Sequence, residues 1–256
     1  MTQPNKKPRV YISVVSHGSD EVIKKLKCLE VLVDKFIVIV KSNTPCEDLS
    51  FLCGNDFHWI DSDYGRGFGE NNNIVFDYCL NDLGMNSDDI FIVLNPDVLI
   101  LHAEILKLVD SMLYYKDSIA SINLYRDVDL SIEDCSIRRF PNLLMLAKSL
   151  LGNTDGYVLN KREILIPTSV DWAAGSFLAF KSSHYKRLGG FDTGYFMYCE
   201  DIDICYRSYF LGEAVRYYPD IKAVHLAAHN NRKIFSKHFY WHIKSSLHFL
   251  LKKHFR

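Results

Sequence analysis

Two short runs of β-favouring apolar residues, Val10 to Val15 (VYISVV) and Lys35 to Val40 (KFIVIV), flank the segment DEVIKKLKCLEVL. Within that segment Val22, Leu26, Leu29 and Leu32 or Val33 recur at helical spacing. Strand, helix and strand in that order form a β-α-β unit, whose parallel strands are buried on both faces. A third apolar run, Ile90 to Leu94 (IFIVL), follows a predicted helix over Asn73 to Leu83, so the alternation repeats. The pattern predicts an α/β fold built on a mixed, mostly parallel central sheet flanked by helices. Ligands of such sheets sit at the carboxyl ends of the strands, which directs attention to SHG after the first run, KSNT after the second and NPDV after the third.

The second half is less regular. Leu143 to Leu151 reads as a helix, SFLAF within Asp171 to Phe180 as a strand, and Ala214 to Val224 as a strand pair or an edge interrupted by Pro219. No internal repeat or linker is visible. The expected organisation is a flexible start (1–9), one domain (10–229) and a basic, amphipathic helical extension (230–256). The domain divides into two halves, about 10–100 and about 101–229.

At 256 residues and 48% hydrophobic content the chain can bury a sizeable core. No stretch reaches the roughly 18 uninterrupted apolar residues of a membrane span, and MTQPNKKPR lacks the apolar region of a secretion signal, so a cytosolic protein is expected. The seven cysteines are scattered without a C-x-x-C pair, which argues for reduced packing residues over disulfides or a thiolate zinc site. The net charge of −1 conceals an asymmetry. From Ile221 to Arg256 there are eight Lys or Arg, six of the ten histidines and no Asp or Glu, leaving 22 basic against 31 acidic residues elsewhere. A basic tail on an acidic body suggests an anionic partner for the tail.

Four segments carry candidate chemistry. In IFIVLNPDVLI, Asn95 and Asp97 stand where a strand ends at Pro96; the segment reads either as a plain terminator or as an acid holding Mg²⁺ or Mn²⁺ against a diphosphate. GRGFGENNN (residues 65–73) is glycine-rich and leads into a helix, yet it has neither the G-K-[ST] of a Walker loop nor an immediately preceding strand; a capped loop fits it equally. In FMYCEDIDICYR, acids in the first turn suit the helix dipole, and Asp203 with Arg207 makes an i,i+4 pair of roughly 0.2 to 0.5 kcal/mol. The aromatic residues before them would desolvate a carboxyl and suit it to general base work. His225 closes KAVH and His229 follows it, but the glutamate of H-E-x-x-H is missing, so a zinc protease is disfavoured and a buried histidine remains open beside a metal ligand.

Taken in order, GFGENNN, LNPDV, VDWAAGSF, GGFDTGYFMYCEDIDICYR and AVH resemble the family 2 glycosyltransferases of the GT-A fold, with its Rossmann-like nucleotide-binding half. More narrowly, the series is similar to the bacterial L-rhamnosyltransferases of O-antigen and related polysaccharide synthesis, and the similarity runs over about residues 10 to 250. The resemblance implies an inverting, metal-dependent transfer of L-rhamnose from dTDP-L-rhamnose to a polyprenyl-diphosphate-linked (undecaprenyl-diphosphate) N-acetylglucosamine. It implies Asp201 as catalytic base, with Glu200, Trp172 and Gly175 on the acceptor side. Ser16, Asn43, Gly67, Phe68, Asn73 and Asn95 are implied on the donor side, and Asp97 and His225 as ligands of a Mg²⁺ or Mn²⁺ cofactor. Many relatives carry Asp-Asn where this chain has Ser42-Asn43, and a UDP-hexose donor is the nearest alternative.

A helix carrying Phe235, Phe239, Ile243, Leu247 and Leu250 on one stripe would place the basic C-terminus on the anionic inner face of the bacterial membrane, with no nucleic-acid partner and room for a homo-oligomer. A sugar nucleotidylyltransferase would need G-x-G-T-R after the first strand, which SHGSDE does not supply. Retention of both Asp97 and Asp201 argues against a non-catalytic glycan-binding protein.

Overall fold

The computed structural model describes residues 7–142, 157–226 and 237–254. The helix expected at Leu143 to Leu151 and His229 lie outside the described residues. One nine-stranded sheet runs in the order β3 (Phe57–Ile60), β2 (Ile37–Ser42), β1 (Val10–Ser16), β4 (Ile90–Leu94), β10 (Phe177–Lys181), β6 (Ile119–Tyr125), β11 (Val215–His225) and β5 (Val98–Leu99), with β8 (Thr168–Val170) also pairing β11. Strands β1 to β4 are parallel, β6 and β11 share their direction, and β10, β5 and β8 run against them. A two-stranded ribbon, β7 (Ile137–Arg138) with β9 (Trp172–Ala173), stands beside this sheet.

The central strands are buried on both sides, which is why they read as unbroken apolar runs. Ile12, Val14, Ile92 and Leu94 face a core closed by α1 (Asp20–Leu26), α2 (Glu30–Val33) and α4 (His102–Tyr115). Tyr11, Phe91 and Val93 face a second core with α3 (Phe68–Asn81), α5 (Ser182–Leu188) and α6 (Glu200–Phe210).

Three elements depart from the sequence expectation. The helix between β1 and β2 is broken, because Lys27 takes a left-handed conformation (φ 51) that ends α1 and lets Cys28 and Leu29 turn into the core. Helix α3 starts at Phe68, five residues earlier than the spacing suggests, behind an extended Gly67 and with Glu70 in its first turn. Strand β11 is one continuous strand; Pro219 is absorbed where its register against β6 shifts, between Tyr218 and Lys222.

The C-terminal helix α7 (Lys237–His254) packs on the body. Phe249 is buried in the second core, Ser245 donates to the Met197 carbonyl at 2.8 Å, and Lys252 pairs with Asp192. All seven cysteines are free: Cys28, Cys79, Cys199 and Cys205 are buried, but Cys46 and Cys53 are exposed, so packing accounts for only part of the set. No described helix is long and apolar enough to cross a membrane.

Candidate active site

Strand β4 delivers Asn95 and Asp97 to the carboxyl edge of the sheet, and β11 ends beside them at His225. His225 Nε2 lies 3.4 Å from an Asp97 oxygen and 3.4 Å from the Asn95 amide nitrogen. Its Nδ1 faces the Asp134 carboxylate at 2.8 Å. Burial would lower the proton affinity of His225, but hydrogen bonds and charge from Asp134 and Asp97 outweigh it and raise its pKa to about 9. Among the described residues no three His, Cys, Asp or Glu side chains converge into a metal cluster. Asp97 and His225 alone nonetheless fit Mg²⁺ or Mn²⁺, ions that take one or two protein ligands and complete their shell with water and substrate phosphate.

The second constellation faces the first across the β4–β10 ladder. Leu94 pairs with Phe177, and the Asn95 N–H donates to the Ser176 carbonyl at 3.0 Å. One residue before Ser176, the Gly175 N–H donates to Asp201 Oδ2 at 3.1 Å; Asp201 Oδ1 accepts from Ile202 N–H at 2.9 Å. A β-carbon on Gly175 would sit 3.6 Å from Asp201, an ordinary contact, and 3.1 Å from the Phe68 ring, which would have to shift by a few tenths of an ångström.

Glu200 precedes Asp201 at the start of α6, behind two consecutive left-handed residues, Tyr198 (φ 70) and Cys199 (φ 68). Such bulky residues resist this conformation at a cost of order 1 kcal/mol each, so the surrounding packing must hold the turn. Ser245 of α7 and the burial of Tyr195 and Cys199 do so. Burial, reinforced by Asp201, pushes Glu200 up to about 8, and its Oε2 has no partner among the described residues. Asp201 is also raised by burial, opposed by the Gly175 and Ile202 N–H groups and by Arg138. The Gly175 and Ile202 N–H groups favour the charged form of Asp201, whereas Glu200 Oε2 has no such donor among the described residues. Asp201 is partly open to solvent.

The remaining expected residues are placed differently. Ser16 donates to Glu47 at 2.5 Å, and the same oxygen accepts from Gly18 and Ser19 N–H, so Ser16 shapes the loop after β1. Asn43 exchanges a pair of 2.9 Å hydrogen bonds with the Arg66 backbone, which fastens the glycine loop to the end of β2. Gly67 is a packing glycine: a β-carbon there would lie 2.6 Å from the Phe196 carbonyl. Phe68 N–H donates to that carbonyl at 3.1 Å, which ties the glycine loop to the aromatic segment before Glu200.

Two further expected residues have their polar groups engaged within the fold. Asn73 spends its amide on Phe191 N–H and carbonyl (both 2.8 Å) and on the Tyr185 hydroxyl (2.7 Å). Trp172 is buried in the second core and donates to the Arg139 carbonyl at 2.9 Å.

Sequence reasoning missed Asp134 and Arg138. Arg138 lies over the Trp172 and Tyr157 rings at 5.3 and 5.4 Å and projects its charge on Asp201. Both belong to IEDCSIRR, which matches no motif; their roles arise from pairings with residues dozens of positions away.

No family model matches the chain. Among curated proteins it is 37% identical over 249 residues to Rhamnosyltransferase WbbL of Escherichia coli strain K12, covering 95% of this chain and 93% of that one. It belongs to the rhamnosyltransferase family. A second member, the N-acetylglucosaminyl-diphospho-decaprenol L-rhamnosyltransferase of Mycobacterium tuberculosis strain H37Rv, is 33% identical over 177 residues, 65% of this chain and 56% of that one. The solved structure of GalNAc-T7 with UDP, GalNAc and Mn²⁺ shares the fold at a TM-score of 0.59 and 11% identity, covering 87% of this chain but only 44% of the other. This rhamnosyltransferase therefore has the GT-A fold, with Asp97 and His225 at the carboxyl ends of β4 and β11.

Proposed function

We propose that this rhamnosyltransferase moves L-rhamnose from dTDP-L-rhamnose to an N-acetylglucosamine carried on a polyprenyl (undecaprenyl) diphosphate, with inversion at the anomeric carbon. The observation that carries the reading is the Asp201 carboxylate: partly exposed, oriented by two backbone N–H groups and set beside Glu200, which burial and Asp201 push up to about 8. An acceptor hydroxyl is too weak a nucleophile at neutral pH unless its proton is taken as it attacks. Asp201 receives that proton while the hydroxyl oxygen bonds to the anomeric carbon, and the sugar–phosphate bond breaks with its electron pair leaving on the nucleoside diphosphate. Glu200, neutral, donates a hydrogen bond to the acceptor sugar.

Asp97 and His225 would hold Mg²⁺ or Mn²⁺, with Asn95 adjacent. The bound ion would act as a Lewis acid toward the departing diphosphate. The two relatives named above support the sugar, and the name of the mycobacterial one supports the lipid-diphosphate acceptor. The acid-free stretch from Ile221 onward supports attachment to the anionic cytoplasmic face of the membrane, where polysaccharide such as O-antigen is assembled.

The test is mass spectrometry of a synthetic N-acetylglucosaminyl-diphospho-lipid incubated with dTDP-L-rhamnose, or with UDP- and GDP-hexoses, and Mn²⁺. A product heavier by one deoxyhexose from the dTDP donor alone is expected. Turnover confined to a UDP-hexose would replace the donor assignment.

A further inference from the structure

On α7, Tyr240, Lys244, Leu247 and Leu251 share one helix face, and that face points outward. Tyr240, Leu247 and Leu251 are 65%, 56% and 60% exposed, whereas Ser245, Ser246 and Phe249 form the buried side. A helix packed on a soluble body ordinarily turns its polar residues to water, so an outward apolar face needs an occupant. Loop 194–196 rises beside it. Phe196, also exposed, lies 4.9 Å ring to ring from Trp241. Together these residues line a groove of about 500 Å³, within the size range of small-molecule sites.

The groove is linked to the candidate active site through Phe196 and Phe68. The Phe196 carbonyl accepts from Phe68 N–H at 3.1 Å, the Phe68 ring abuts Gly175, and Gly175 holds Asp201. Lys244 is exposed on the groove's rim, no acid lies in the sequence from Ile221 to the end, and the nearby Asp192 is paired with Lys252. An apolar trough, a basic rim and a carboxylate base in succession match an amphiphile with an apolar chain, an anionic head and a sugar hydroxyl.

We infer that the groove between α7 and loop 194–196 binds the diphosphate-proximal isoprene units of the acceptor lipid, which places its diphosphate near Lys244 and its sugar toward Asp201. The assignment rests on the lipid-linked acceptor proposed above. It makes α7 part of the substrate site as well as a prop for the strained turn before Glu200.

The full chain is titrated in vesicle-free solution with geranyl, farnesyl and geranylgeranyl diphosphate, with inorganic diphosphate as the head-group control, by tryptophan fluorescence and calorimetry. Affinity is expected to rise by about tenfold or more from the shortest to the longest chain, because each added apolar carbon leaves water. Leu247→Glu and Leu251→Glu, at exposed positions, should abolish that rise while leaving the melting temperature and inorganic diphosphate binding unchanged. Affinity independent of chain length, or unaltered in both variants, overturns the groove. So does a result in which the variants lose only sedimentation with phosphatidylglycerol vesicles, which would make this face a bilayer contact. Chain-length-dependent binding in a protein that glycosylates no lipid diphosphate would overturn the acceptor reading and leave the groove as an isoprenyl site.

Discussion

The Nδ1 atom of His225 lies 2.8 Å from the carboxylate of Asp134, across 91 residues of sequence, and turns Nε2 toward Asp97. A carboxylate behind a metal-binding histidine fixes its tautomer and ring orientation and raises its basicity, and losing such a partner typically weakens metal affinity about 10- to 100-fold. Asp134→Asn should therefore weaken Mn²⁺ binding by about that factor, read directly from the Mn²⁺ electron paramagnetic resonance signal in the absence of substrate. Chelator should abolish turnover of the unmutated enzyme and excess Mn²⁺ should restore it. Unchanged Mn²⁺ affinity in the variant would reduce Asp134 to a packing residue.

Asp201→Asn keeps the volume of the side chain and the acceptor oxygen for Gly175 N–H, but it cannot take a proton. Turnover should fall by about 10²- to 10⁴-fold while dTDP binding measured by calorimetry stays within about twofold. A variant with substantial turnover would move the base elsewhere.

Glu200 and Asp201 also give the stability a pH dependence. Burial first, and Asp201 second, raise Glu200 from its ordinary 4.5 to about 8, so the folded protein binds this proton more tightly than the unfolded chain does. That contribution to stability is complete below about pH 4.5 and is lost as pH rises through about 8. Glu200→Gln, which is permanently neutral, should flatten this decline: its melting temperature relative to the parent should be a few degrees higher at pH 9 than at pH 6. Equal pH profiles for the two proteins would mean that Glu200 is ionised in the fold.

Strands β1, β2 and β4 are legible because double-sided burial leaves uninterrupted apolar runs, and the acids at their ends stand out against that background. Asp97 is readable as a candidate for this reason, and Asp201 because an aromatic run precedes it. Asp134 was not, since its significance lies in a contact with His225 that no local pattern encodes. The glycines were legible as a cluster but not in their purpose: Gly67 is small to admit the Phe196 carbonyl, a requirement set by a segment some 130 residues downstream. In α7 the spacing reveals a face but not which way it turns; Phe249, outside the expected stripe, is the residue that goes inside.

The expected i,i+4 pair of Asp203 and Arg207 forms, at 2.7 Å, but not on the surface. Both side chains are largely buried, 2% and 12% exposed, and Arg207 also donates to the Leu188 and Gly190 carbonyls at 2.5 and 2.8 Å. It thereby clamps the turn after α5 to α6, the helix whose first turn carries Glu200 and Asp201. Removing one partner of a buried pair leaves an uncompensated charge, which typically costs about 3 to 5 kcal/mol, an order of magnitude above an exposed helical pair. Asp203→Asn should accordingly lower the unfolding free energy in urea by about 3 kcal/mol, with Arg207→Lys comparable because lysine cannot reproduce three divergent donors. A loss below about 0.5 kcal/mol in both would show that water reaches the pair and that it serves the helix surface alone.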